Sequence, residues 1–131
     1  MSDTGPETTP RVLVDIIAAA ESDGRGAVWT LDPSDRDLDA NLIALPAGDA
    51  ITPHRGPALD VLVHVVAGSG RLETDGGPVD LRPGTVAWLP RGTVRGFTAG
   101  PTGLRYLTVH RRRHDGGLST IGPPPSASPA R

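Results

Sequence analysis

From Ala27 onward the chain is cut into short apolar runs by glycine, proline and aspartate. Runs of this length suit strands and are too short for helices. Strands are expected at residues 27–31, 39–45, 51–53, 60–67, 71–74, 79–81, 86–89, 94–98 and 104–110. The joints are turn formers: Pro46-Ala47-Gly48, Gly68-Ser69-Gly70, Asp75-Gly76-Gly77, Arg82-Pro83-Gly84 and Pro90-Arg91-Gly92. Asp75-Gly76 predicts a tight hairpin with positive φ at both central positions. Gly68-Ser69-Gly70 reads as another hairpin turn. Many short strands with such turns predict an antiparallel sandwich or barrel of eight to ten strands.

One segment departs from this rhythm. Leu13, Ile16, Ile17 and Ala20 fall on one helical face, and Ser22-Asp23-Gly24 follows as a stop signal. The spacing predicts a helix over residues 12–21. Val12, Val14 and Ile16 also alternate, so an edge strand over residues 11–17 competes with it.

The 131 residues suffice for one core and not for two ordinary domains. Residues 1–10 and the Pro/Ser-rich residues 115–131 are too polar or proline-rich to fill a core and are expected to be flexible tails. The folded domain is expected at residues 11–114.

Composition removes several chemistries. There is no cysteine, hence no disulfide and no thiolate ligand or nucleophile. All 13 basic side chains are arginine, so no lysine can form a Schiff base. A net charge of −2 gives no field that would draw the chain to nucleic acid or anionic lipid. No apolar run approaches the roughly 18 residues of a membrane span, and the cytoplasm is the expected compartment.

Two spacings stand out. Gly84 is followed after five residues by Pro90, then by Gly92 and Arg95. Upstream, Gly48 is followed after five residues by His54, with Gly56, Asp60, Val61 and Gly68 beyond it. Residues 45–98 thereby resemble the two conserved blocks of the cupin superfamily, in its small single-domain form. The resemblance implies an all-β jelly-roll barrel with one short N-terminal helix. It also implies four metal-ligand positions, which here hold His54, Gly56, Val61 and Arg95. Only His54 is a donor, and Arg95 would repel a cation. A slip of one residue would bring in Asp60. His64 and His110 are further candidates to enter the cavity.

The cofactor stays open at this point. The residues favour a site without tightly bound metal; a divalent transition ion, with Fe(II), Mn(II), Ni(II) or Zn(II) as the family-like choices, is the other reading. An inward Arg95 needs an acid, with Asp60 the candidate, or an anionic ligand. Trp88, Phe97 and Tyr106 are three of only four large aromatics and are expected to line an apolar pocket wall.

Three functions follow. The first is a small-molecule-binding barrel, its anionic organic ligand clamped by Arg95 beside Asp60, Trp88, Phe97, Tyr106 and His110. The second is an enzyme of the resembled family (an isomerase, cyclase or oxygenase) with His54 or His64 as base or metal ligand and Arg95 stabilising negative charge. The third is a non-catalytic sensor or structural homodimer. The resemblance suggests pairing of two copies in each case.

Overall fold

The computed structural model describes residues 9–113. The expected tails therefore lie, apart from Thr9 and Pro10, outside the described residues. Seven strands follow one short helix: α1 (Ile16–Ala19), β1 (Gly26–Thr30), β2 (Leu38–Leu45), β3 (Ala50–Arg55), β4 (Val61–Thr74), β5 (Gly77–Leu81), β6 (Val86–Leu89) and β7 (Val94–Arg111).

All strand pairs are antiparallel, and two long strands organise them. β4 and β7 pair along most of their lengths. The first part of β4 and the last part of β7 also carry β6 and β2, with β1 outside β2. The last part of β4 and the first part of β7 carry β5 and β3. One sheet thus reads β1-β2-β7-β4-β6 and the other β3-β7-β4-β5, with β4 and β7 passing through both. This is an antiparallel barrel, as the strand-turn rhythm predicts, with the jelly-roll order that the resemblance implies.

The strand count is lower than expected because two pairs of predicted strands fuse. Residues 60–67 and 71–74 belong to one strand, and so do 94–98 and 104–110. Gly68-Ser69-Gly70 is therefore no hairpin. It is a corner within β4, where the register slips between Val65 and Ala67 and again between Gly68 and Gly70. Gly68 has φ +76° there, and a Cβ on it would lie 2.1 Å from the Gly103 carbonyl oxygen. Only glycine meets both conditions, so the corner is fixed by composition. The Asp75-Gly76 hairpin forms as expected, joining Thr74 to Gly77. Positive φ falls on Gly77 rather than Gly76, so the expected positive φ at both central positions is not met, although the register runs through the hairpin without a shift.

The N-terminal helix is much shorter than residues 12–21. Asp15 caps it, its carboxylate accepting from the amides of Ile17 at 3.1 Å and Ala18 at 3.2 Å. Asp15 itself has an extended backbone, which prevents the helix from starting earlier. None of the helical residues is buried; Ala20, just after it, is.

Strand alternation sorts the core. Val61, Val63 and Val65 of β4 point inward, as do Leu104 and Tyr106 of β7, Ile43 and Leu45 of β2, and Leu89 of β6. Phe97 and Tyr106 stack with centroids 4.4 Å apart and planes at 12°. These inward rows drive the fold, because each removes apolar surface from water on both long strands.

Candidate ligand site at one end of the barrel

β3 ends and β7 begins at the same end of the barrel. The pairing places His54 directly across from Arg95, and Arg55 across from Val94. Arg95 also lies opposite Thr74 on β4. Strand parity points Arg95 inward with Phe97, two residues on. Its residue exposure is only 5%.

This buried cation has few protein contacts. One guanidinium nitrogen donates to the Thr93 carbonyl at a long 3.5 Å. Carboxylate ion pairs join Arg25 to Asp49, Arg36 to Asp39, Arg71 to Glu73 and Arg91 to Asp60, and none of these involves Arg95. Burial pushes the pKa of Arg95 down from its ordinary value, with the neighbouring Tyr106 acting in the opposite sense. Most of the fixed donor fork is left facing something other than a protein acceptor.

Gly56 explains how the guanidinium fits. A Cβ built on Gly56 would come within 2.0 Å of the Arg95 Cζ and 2.1 Å of one terminal nitrogen. The Gly56 amide donates to the same Thr93 carbonyl, at 2.9 Å. The arginine head thus lies against bare backbone at a position where the resembled family places a histidine. Sequence reasoning counts Gly56 only as a missing ligand; its exchange with a long side chain at Arg95 is the signal that could have shown its part.

Asp60 does not meet Arg95. Its carboxylate accepts from the Arg91 backbone amide at 2.9 Å and from the Arg91 guanidinium at 3.3 and 3.4 Å. The side-chain bond from Arg91, followed by the backbone bond, holds Asp60 below the usual carboxylate range. Asp60 precedes β4, and the Pro90-Arg91-Gly92 turn brings Arg91 to it first.

His54 is exposed, with Nδ1 at 3.0 Å from the Thr52 carbonyl. A carbonyl only accepts, so Nδ1 carries the proton in this contact and the neutral ring keeps Nε2 as its basic atom. His64 lies between inward Val63 and Val65 and therefore faces outside, away from the barrel interior. Trp88 precedes inward Leu89 and is 64% exposed; it forms no interior wall. His110 lies near the end of β7, with Nδ1 2.8 Å from the Arg111 carbonyl, remote in register from Arg95. Of the expected site residues, His54, Arg95, Phe97 and Tyr106 belong to one region, while Asp60, His64, Trp88 and His110 do not join it. A cleft of about 290 Å³ at the sheet corner, lined by residues including Ser69, Arg71, Asp80 and Arg82, takes in none of these groups.

The metal positions can be tested on this geometry. No cluster of three or more His, Asp or Glu side chains suited to a metal ion occurs among the described residues. Gly56 and Val61 offer no side-chain donor, and the Arg95 cation lies against Gly56. The residues present do not fit a tightly held divalent ion.

An antiparallel jelly roll, bent at glycine corners and carrying polar groups at one end of its barrel, defines a small double-stranded β-helix protein. The cupin-domain family pattern matches residues 41–110, more than half of the chain, and the protein belongs to the cupin family. No protein of curated function matches it. Among solved structures it is similar to an uncharacterized conserved protein with a double-stranded β-helix domain from Klebsiella pneumoniae, at 18% identity and TM-score 0.65, over 82% of this chain and 95% of that one. It is also similar to KdgF from a Halomonas species, at 31% identity and TM-score 0.52, over 60% of this chain and 74% of that one. A third similar structure is a sugar phosphate isomerase of the cupin superfamily from Silicibacter pomeroyi, at 24% identity and TM-score 0.56, over 64% and 59% of the two chains.

Proposed function

We propose that this cupin binds a small organic anion at the end of its barrel, with Arg95 as the clamp and without a tightly bound metal. The observation that carries the reading is an arginine only 5% exposed as a residue, with one long hydrogen bond from its guanidinium and no carboxylate partner among the described residues. A buried cation of this kind is costly unless an anion completes it. A carboxylate or enolate oxygen pair suits the planar fork. The stacked Phe97 and Tyr106 would back an apolar part of the ligand. Trp88 has no part in this arrangement.

A second reading adds chemistry at the same place. His54 stands across from Arg95 in register, and its Nε2 is the available base. His54 would then abstract a proton next to a carbonyl while Arg95 stabilises the enolate oxygen, as an isomerase requires.

One experiment addresses both readings. Calorimetric titration with benzoate, malate and inorganic phosphate, in protein freed of metal by chelation, should give saturable binding of at least one anion. Arg95→Lys should keep the fold and weaken that binding by roughly 1–3 kcal/mol, the scale of a lost charge-assisted hydrogen bond. Equal affinity in Arg95→Lys would refute the clamp. His54→Asn should leave affinity nearly unchanged; loss of solvent-proton exchange at the bound anion's α-carbon in that variant would favour the enzymatic reading.

A further inference from the structure

The corner that bends β4 also opens a cleft on the outside of the second sheet. Two neighbouring rows of side chains border it. One holds Asp80 of β5, Arg71 of β4 and Thr98 of β7, paired in register. The other holds Arg82, just past β5, Ser69 at the corner and Gly100 of β7.

Gly100 makes the space. A Cβ built on it would stand 2.6 Å from the Ser69 hydroxyl oxygen. Its bare backbone, beside the small Ser69, leaves a cleft of about 290 Å³. That volume lies at the small end of ligand pockets and suits a molecule of amino-acid size.

The charges around the cleft are not all spent on one another. Arg71 lies across from Asp80, yet its guanidinium bonds Glu73 at 3.3 Å. Glu73 in turn accepts from the Thr98 hydroxyl at 3.0 Å. This triad leaves Asp80 over. Neither the Asp80 carboxylate nor the Arg82 guanidinium has a hydrogen bond or ion pair among the described residues, and the two do not pair with each other. Both residues are exposed, so neither needs a protein partner, and both are available to a ligand.

The sign pattern selects that ligand. A simple anion meets Arg82 but is repelled by Asp80, and a simple cation meets the reverse. With Arg71 and Glu73 included, the four charges cancel, so the cleft has no net field that favours either. A zwitterion satisfies both. Asp80 and Arg82 are two residues apart on an extended backbone, about 7 Å from one another. In an α-amino acid the ammonium and carboxylate groups lie one carbon apart. With a charge-assisted hydrogen bond of about 2.8 Å at each end, such a molecule bridges the two side chains. The Ser69 hydroxyl is a further donor for its carboxylate.

We infer that this corner cleft binds a free α-amino acid as its zwitterion, Asp80 holding the ammonium group and Arg82 the carboxylate. The site is separate from the barrel end, since its lining includes none of His54, Arg95, Phe97 or Tyr106. It stands or falls independently of the anion clamp.

The test suits a weak ligand, because exposed charges bind weakly. Proton–nitrogen correlation spectra of the isotope-labelled full chain are followed while L-alanine, L-leucine or L-glutamine is added, up to about 50 mM, past the millimolar end of specific affinity. At least one should give saturable shifts centred on the amides of residues 69–71, 80–82 and 98–100. Its N-acetyl derivative, which lacks the ammonium charge, and its amide, which lacks the carboxylate charge, should each bind about fivefold more weakly or worse, the upper end for one exposed charge pair. Asp80→Asn and Arg82→Gln should each weaken the parent amino acid by a similar factor, with an unchanged circular dichroism spectrum. Absence of saturable shifts with all three amino acids would overturn the inference. So would shifts centred on His54 and Arg95, a derivative that binds as tightly as its parent amino acid, or an affinity unchanged in both variants.

Discussion

At Gly56 a missing side chain and a long one occupy a single volume. The Arg95 head lies where a Cβ at position 56 would be, 2.0 Å from Cζ. Gly56 is not among the glycines with positive φ, and the three atoms nearest to an added Cβ all belong to Arg95. Gly56→Ala is expected to push the guanidinium out of place and destabilise the fold by about 1–3 kcal/mol, the usual cost of overpacking. In an Arg95→Ala background the same change should cost little, leaving a coupling energy of about 0.5–3 kcal/mol in a urea-denaturation cycle. Additive effects would mean that the two residues do not share the space. The sequence places His54 and Arg95 in matching blocks and gives Arg95 its inward direction. It leaves His64 a candidate to enter the cavity, and only the burial of Val63 and Val65 on either side shows that it faces outward. It does not tell which basic side chain reaches Asp60, because the shape of the Pro90-Arg91-Gly92 turn decides that in favour of Arg91. Trp88 was open to misreading for a similar reason: its four-residue strand is too short to fix its facing without the partner strand.

The two long strands are the elements on which everything else hangs. Short apolar runs made each half of β4 and β7 legible as strand. Whether a glycine between two runs reverses the chain or only bends it is not a local property. Gly68-Ser69-Gly70 bends because both flanking runs find partners on β7, with Gly68 closing on the Gly103 carbonyl. Asp75-Gly76 reverses because Thr74 and Gly77 pair with each other. The difference should appear in stability. Gly68→Ala combines a left-handed backbone with collision against a carbonyl and should cost about 2–4 kcal/mol. Gly76→Ala meets nothing nearer than the Thr74 hydroxyl at 3.7 Å and should stay within about 0.5 kcal/mol of the parent. Chemical denaturation of both variants measures the contrast; equal losses would contradict the corner. The helix is shorter than its apolar spacing predicts because an apolar face forms a helix only where tertiary packing rewards it, and here Asp15 caps a single turn.

For the molecule as a whole, two ion pairs tie turns to strand starts far along the chain. Arg25, just before β1, binds Asp49, just before β3, at 2.6 Å. Arg91, in the β6–β7 turn, binds Asp60, just before β4, at 3.3 Å. In both, the arginine holds the carboxyl below the usual carboxylate range. A carboxyl depressed in the folded state binds protons more weakly there than in the unfolded chain. Its contribution is therefore complete above the unfolded value of about 3.9 and is lost as pH falls through the lower folded value. Each pair is solvent-exposed on at least one side, so the contribution is modest and screened by salt. The melting temperature is accordingly expected to hold from pH 6 to about pH 5 and to fall as the pH is lowered further, through about 4 towards 3. The fall should be smaller in an Asp49→Asn, Asp60→Asn double variant and in about 1 M salt, where the attraction is screened over a few ångströms. If the double variant keeps the full acid sensitivity of the parent, the acid response arises elsewhere and these two clasps do not contribute to it. The measurement is a melting series followed by circular dichroism, with parent and variant at equal chain concentration so that any self-association affects both alike.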